Sequence, residues 1–239
     1  MFLECDMKSF LTKTVAFIGV FAAFHATLYL ISPPFLWRNW AIYLSPIEGI
    51  VLGPWAGFIA ALIGSTLGRV LFPSPLWMFG IVAEPLSVMS AGFLTRDKWQ
   101  PVLALYGVML VAYFVSPMGQ SLPLWPMLDT ILAVCLVYPA AELGKNLFSE
   151  DVKHLPVSLV IVSFVTVGVD GLTRVFLFIP AKLYSSVLGL SPGATALAFV
   201  AGGIDSFIED AFVVLITVAV GVPILLALRN FLNLKRPLS

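Results

Sequence analysis

Apolar residues run through this chain in long blocks, and short polar, aromatic or proline-rich segments divide one block from the next. The blocks predict helices over residues 14–32, 76–95, 101–115, 127–148, 157–181 and 194–231, with a more finely cut region between 45 and 72. In that region Ser45, Pro46 and Glu48 read as a serine cap, a first-turn proline and a glutamate reaching back, which predicts a helix starting at about Pro46. Gly53-Pro54 stops it after some eight residues, about 12 Å of helix, and starts a second that reaches Phe72. The last block is long enough for one tilted helix or for two pieces broken at Gly202-Gly203. A faint echo between 44–62 and 190–208 reads either as a diverged repeat or as coincidence among small and apolar residues.

With 60% hydrophobic and 11% charged residues, the chain is expected to be a polytopic, all-α transmembrane bundle with about six to eight membrane segments, including the Pro/Gly-broken pair. Net charge is zero and no basic stripe interleaves with aromatics, so nucleic acid is not an expected partner. Glu4 and Asp6 stand where the basic leader of a signal peptide belongs, and 14–32 therefore reads as a first membrane helix. Cys5 and Cys135 have no metal-site spacing. If 45–72 is a down-and-up pair, Lys8, Lys13, Arg96, Lys98, Lys145, Lys153, Arg229, Lys235 and Arg236 all fall on one side. The positive-inside rule then places both termini in the cytoplasm of a multi-pass cell-membrane protein. Trp37, Trp40 and Tyr43 mark the opposite interface.

Small residues recur at four-residue spacing in two helices. Gly19 and Ala23, Ala22 and Ala26, and the row Ala60, Gly64 and Gly68 give faces on which another helix can pack closely in lipid. His25, between the alanines, reads as a hydrogen-bonded bundle histidine or as a proton or metal group. Each charged side chain at mid-bilayer costs about 2.5–3.5 kcal/mol, so ionisable residues inside the spans are the candidate chemistry. Trp40, Glu48, Arg69, Trp77, Glu84 and Asp129 form the candidate solute-binding set, in a pocket opening outward beside the 33–43 loop and the 72–77 turn. Glu48 and Glu84 also have a plainer reading as helix-end groups. Asp170 and Arg174 stand four apart and read as a mutually neutralising pair. Asp205 and Glu209 share a face next to Asp210, and with Asp170 they are the candidate cation or proton site, a metal remaining an open question. No serine elbow, histidine-rich metal motif, P-loop or cofactor fingerprint is present, so neither catalysis nor a cofactor is expected.

AFIGVFAAFHA (16–26), SPIEGIVLGPWAGFIAALIGSTLG (45–68) and GIVAEPLSVMSAGFLTR (80–96) together resemble the substrate-binding S-components of energy-coupling factor transporters, which import vitamins and other micronutrients. The resemblance covers about 14–100 and extends weakly to 148. It implies an S-component-like core over 14–148, with additional helices over 157–231 that depart from that family's usual six. It also implies a small polar, vitamin-like solute and external energisation by two ATPase subunits and a transmembrane coupling subunit. That subunit would dock on the small-residue faces of the first and third helices. Two other functions stay open: a self-contained cation- or proton-coupled carrier or channel using Asp170, Asp205 and Glu209, and an intramembrane lipid-modifying enzyme.

Overall fold

Gly53 holds φ 84° and ψ 178° in the computed structural model, a left-handed backbone that favours glycine, and the helix on each side of it takes a different direction. The structure describes residues 2–31, 38–74, 76–149 and 152–232, so Trp37, Lys235 and Arg236 lie outside it. The elements in order are α1 (Phe2–Leu30), α2 (Trp40–Leu52), α3 (Pro54–Leu71), α4 (Trp77–Leu94), α5 (Trp99–Val115) and α6 (Pro117–Ser121). A 3-10 turn (Trp125–Met127) follows, then α7 (Leu128–Gly144), α8 (Leu155–Phe178), α9 (Leu183–Ser186) and α10 (Pro192–Leu232). No strand occurs among the described residues. Among the described residues six helices are long and apolar enough to cross a membrane, and α2 and α5 are shorter apolar helices, so the chain is a membrane-embedded helical bundle.

Helix α2 begins earlier than its sequence suggests. Asn39 is the cap, its side chain accepting from the Ala41 amide at 3.0 Å, and Pro46 lies inside the helix rather than at its first turn. A proline there removes the amide that would have bonded to the Ile42 carbonyl. The Ser45 hydroxyl donates to that same carbonyl at 3.0 Å, so the serine repairs the helix instead of capping it. Glu48, released from any capping role, turns into the bundle. Almost all of α2 is buried, yet its 13 residues span only about 20 Å. Its first residue donates through its amide to the Ile31 carbonyl at 3.2 Å, so α2 starts level with the end of α1.

Glycines set how closely α2 and α4 cross. A Cβ on Gly49 would lie 2.1 Å from the Val88 carbonyl oxygen, and one on Gly92 would lie 2.3 Å from the Pro54 nitrogen, so backbone meets backbone at both points. Helix α8 lies at the centre, packed against α4, α5, α7 and α10. Tyr106 donates to the Val165 carbonyl at 2.7 Å and Ser87 to the Thr166 carbonyl at 2.9 Å, tying α5 and α4 to adjacent residues of α8. The helices after residue 157 are thus integral to the core rather than an appendage.

Helix α10 is continuous through Gly202-Gly203, about 60 Å long and roughly twice the hydrocarbon thickness. Gly203 serves close approach instead of a break, since a Cβ there would lie 2.3 Å from the Pro126 side chain. The sequence echo has no structural counterpart, because 44–62 contains the Gly53 elbow and 190–208 enters an unbroken helix.

Contacts also sort the helix ends. Tyr29 donates to the Phe72 carbonyl, joining the ends of α1 and α3 near the head of α4. At the other end lie the elbow, Gly92, and Gly144 against the Leu94 carbonyl, with Arg229 donating to the Leu147 carbonyl. Outside the spans at that end, Lys145 donates to Glu142 at 2.6 Å, which holds its ammonium pKa above the usual value.

The α2–α4 crossing yields a test by thermal unfolding in detergent. Gly92→Ala is expected to cost about 1–3 kcal/mol by overpacking backbone. Gly107→Ala, on an exposed face of α5 where a Cβ meets nothing within 4 Å, is expected to be neutral or stabilising by about 0.5–1 kcal/mol.

Candidate functional site in the bundle interior

The small-residue row of α3 brings α1 close. A Cβ on Gly64 would lie 2.7 Å from both the Ala22 carbonyl oxygen and the His25 Cβ, and one on Gly68 would meet the Tyr29 ring at 2.6 Å. Ala22, Ala26 and Ala60 are buried in the same contact. These faces, expected to receive a partner, are occupied by each other inside the chain, and of that set only Gly19 and Ala23 face outward from α1. The reason is lipid packing: two smooth faces on neighbouring helices bury most surface against one another.

This contact carries His25 into the interior. Its Nδ1 lies 2.8 Å from Glu48 Oε2 and its Nε2 3.3 Å from Glu84 Oε2, and all three side chains are essentially inaccessible. Both ring nitrogens thus face carboxylate oxygens, Glu48 on one side and Glu84 on the other. Arg69 grips Glu84 with two nitrogens, at 3.0 and 2.5 Å, and also donates to the Ser65 carbonyl at 3.1 Å. Its guanidinium lies 4.6 Å over the Tyr29 ring. Gly80 makes room for it, since a Cβ there would fall 1.7 Å from an Arg69 nitrogen.

Glu84 is also 3.6 Å from Arg174, which donates to Asp170 at 2.6 Å across one helical turn of α8. Arg38, just before α2, donates to Asp170 at 2.8 Å and pairs with Glu209 of α10 at 2.5 Å. Glu48, His25, Glu84, Arg69, Arg174, Asp170, Arg38 and Glu209 thus form one connected lattice drawn from α1, α2, α3, α4, α8, α10 and the segment before α2. It holds four carboxylates, three guanidiniums and an imidazole. Asp170 lies eight residues, about 12 Å, below the end of α8, and the Arg38 side chain, from just before α2, reaches it. Glu48 Oε1 is buried without a hydrogen-bond partner, an acceptor left over inside the lattice.

The residues nominated from sequence divide accordingly. Glu48, Arg69 and Glu84 come together, and the Asp170–Arg174 pair forms and is extended by Arg38. Glu209 finds its cation in Arg38. Asp205, partly exposed, makes no ion pair among the described residues. Among those residues no three His, Cys, Asp or Glu side chains are grouped to hold a metal. Asp129 is elsewhere, at the start of α7, where it accepts from the Ser206 hydroxyl at 2.7 Å. It does not share a pocket with Arg69 and Glu84. Trp40 packs edge-on against Tyr43, Trp77 is half exposed, and neither side chain bonds to the lattice among the described residues.

Sequence reasoning missed the connecting role of His25 and Arg38. For His25 a signal existed: it lies beside Ala26 and three residues from Ala22, so it shares the face that must pack most closely. For Arg38 none did, because it stands in an aromatic loop and its partners, Asp170 and Glu209, lie on helices far along the chain.

No protein-family model matches the chain, and no solved structure is significantly similar to it. An uncharacterized protein of Methanocaldococcus jannaschii is 30% identical over 154 residues, covering 62% of this chain and 52% of that relative. The chain therefore spans about half the length of the curated relative it matches.

Removing one member of such a lattice leaves a buried charge behind. Arg38→Leu is expected to destabilise the protein by about 3–5 kcal/mol, and Glu209→Gln in that background to recover a substantial part. Unfolding midpoints of the two single variants and the double variant check this, and additive losses would show that the pair is not coupled.

Proposed function

We propose that the chain is the solute-recognition component of a membrane importer, and that a small polar solute is recognised at the interior lattice. The observation that carries this reading is the lattice itself: eight ionisable groups of both signs joined inside an apolar bundle, with the Glu48 Oε1 acceptor unused. An assembly needed only to hold helices together gains little from so many buried charges, because apolar packing of the same volume does as well or better. A solute carrying both an ammonium or hydroxyl donor and an anionic group matches the available carboxylates and guanidiniums.

The broken pair α2–α3 and the resemblance of 14–100 to S-components support assignment to that class of importer. Energy then comes from two ATPase subunits and a transmembrane coupling subunit. The outward residues Gly19 and Ala23, on the loosely embedded α1, are the small surface left for that partner. The end carrying Arg96, Lys98, Lys145, Lys153 and Arg229 is taken as cytoplasmic, which puts Trp40 and Trp77 outside.

A second reading has its own observation. His25 bridging Glu48 and Glu84 is a proton-sharing unit of the kind proton-coupled carriers use, and a self-contained carrier would need no partner.

Native mass spectrometry of the protein extracted gently from its source membranes separates the two. The importer reading expects a bound small molecule together with ATPase and membrane subunits. It further expects the small molecule to be lost in Glu48→Gln, a substitution that keeps the volume of the site. A chain that extracts alone, binds nothing, and moves protons or solute by itself in liposomes would contradict it and favour the carrier.

A further inference from the structure

A groove of about 650 Å³ lies between α7, α8 and α10, away from the small-residue contact of α1 and α3. Its walls are apolar, formed by residues such as Leu132, Ile161, Phe164, Phe207 and Leu215, and its lining includes two carboxylates, Asp129 and Asp210. Leu132 and Leu215 are more than half exposed, so the groove opens sideways, where a bundle in a membrane meets lipid.

Asp210 follows Glu209 on α10. One residue turns a helix by about 100°, so while Glu209 faces Arg38, Asp210 is directed to a neighbouring face and into the groove. Asp210 is only 6% exposed, its Oδ2 is buried without a hydrogen-bond partner, and no ion pair reaches it among the described residues. Asp129, equally buried, is partly satisfied: Oδ1 accepts from the Thr130 amide at 2.6 Å and Oδ2 from Ser206 at 2.7 Å. No Lys, Arg or His lines the groove to neutralise either carboxylate. An ionised carboxylate without a partner under apolar walls is costly, and a cation with N–H donors that covers it removes that cost.

We infer that this groove is a binding site for an amphiphilic organic cation, an ammonium group on an aromatic or alkyl body, taken up laterally from the membrane. The ammonium pairs with the Asp210 carboxylate, with Asp129 as the second carboxylate, and the body lies along Leu132, Phe164, Phe207 and Leu215. The walls supply apolar burial and the paired carboxylates select charge, so a neutral molecule of the same shape is rejected because it leaves Asp210 uncovered. The site is separate from the interior lattice and does not rest on the importer reading.

The test uses the purified full chain in detergent with 4-phenylbutylammonium and its neutral counterpart 4-phenylbutanol, each titrated by ligand-observed NMR. The ammonium compound is expected to bind saturably and the alcohol to bind at least about tenfold more weakly. Asp210→Asn is expected to weaken the ammonium by about tenfold or more while leaving the alcohol unchanged. Ala211→Trp fills the groove from its lipid side without touching either carboxylate, and is expected to abolish binding even if Asp210→Asn proves too unstable to use. Equal binding of the two probes, or an unchanged affinity in Ala211→Trp or in a folded Asp210→Asn, would overturn the proposal. Saturable Mn²⁺ binding with no binding of the amine would overturn it too, assigning the carboxylates to a metal instead.

Discussion

A charged side chain in the hydrocarbon region of a bilayer must meet an opposite charge or leave the region, and this constraint governs the arrangement of the bundle. Glu48, Glu84, Asp170 and Glu209 come from four different helices, and each is satisfied only by a group from another element or another turn. The short α2, the proline repaired by Ser45, the glycine at the elbow and the close α1–α3 contact all place these groups within reach of one another. Apolar packing alone would tolerate many rotations of smooth helices in lipid. The lattice selects one of them.

The small residues accordingly have a positional role. Gly64 and Gly68 admit His25 and Tyr29, Gly80 admits the Arg69 guanidinium, and Gly49 and Gly92 let α4 lie against α2 and the start of α3. Enlarging Gly64 or Gly80 moves a lattice group, His25 or Arg69, which couples packing to electrostatics at those two points. The groove at Asp129 and Asp210 is the exception. There two carboxylates face apolar walls with no cation opposite among the described residues.

Most of the helical architecture was legible in the sequence, because apolar blocks and proline-glycine punctuation determine where membrane helices can run. The elbow at Gly53-Pro54 and the pairing of Asp170 with Arg174 follow from spacing alone. The start of α2 was not legible. Ser-Pro-x-Glu has the form of a helix cap, and only the tertiary fold shows Asn39 capping and Glu48 turned to His25. The continuity of α10 was equally hidden, since a Gly-Gly pair reads the same whether it breaks a helix or admits Pro126. Lattice membership was hidden too for Arg38, whose partners Asp170 and Glu209 stand on helices far along the chain.

Nitrogen-15 NMR of histidine-labelled protein addresses the lattice most directly, because the chain has only two histidines and His154 is exposed. The account predicts a His25 ring that exchanges slowly with water, carries protons on both nitrogens and responds when Glu84→Gln removes one carboxylate. A His25 ring that exchanges freely with water and is indifferent to Glu48 and Glu84 would contradict it, because the bundle would then have no ionic centre to organise.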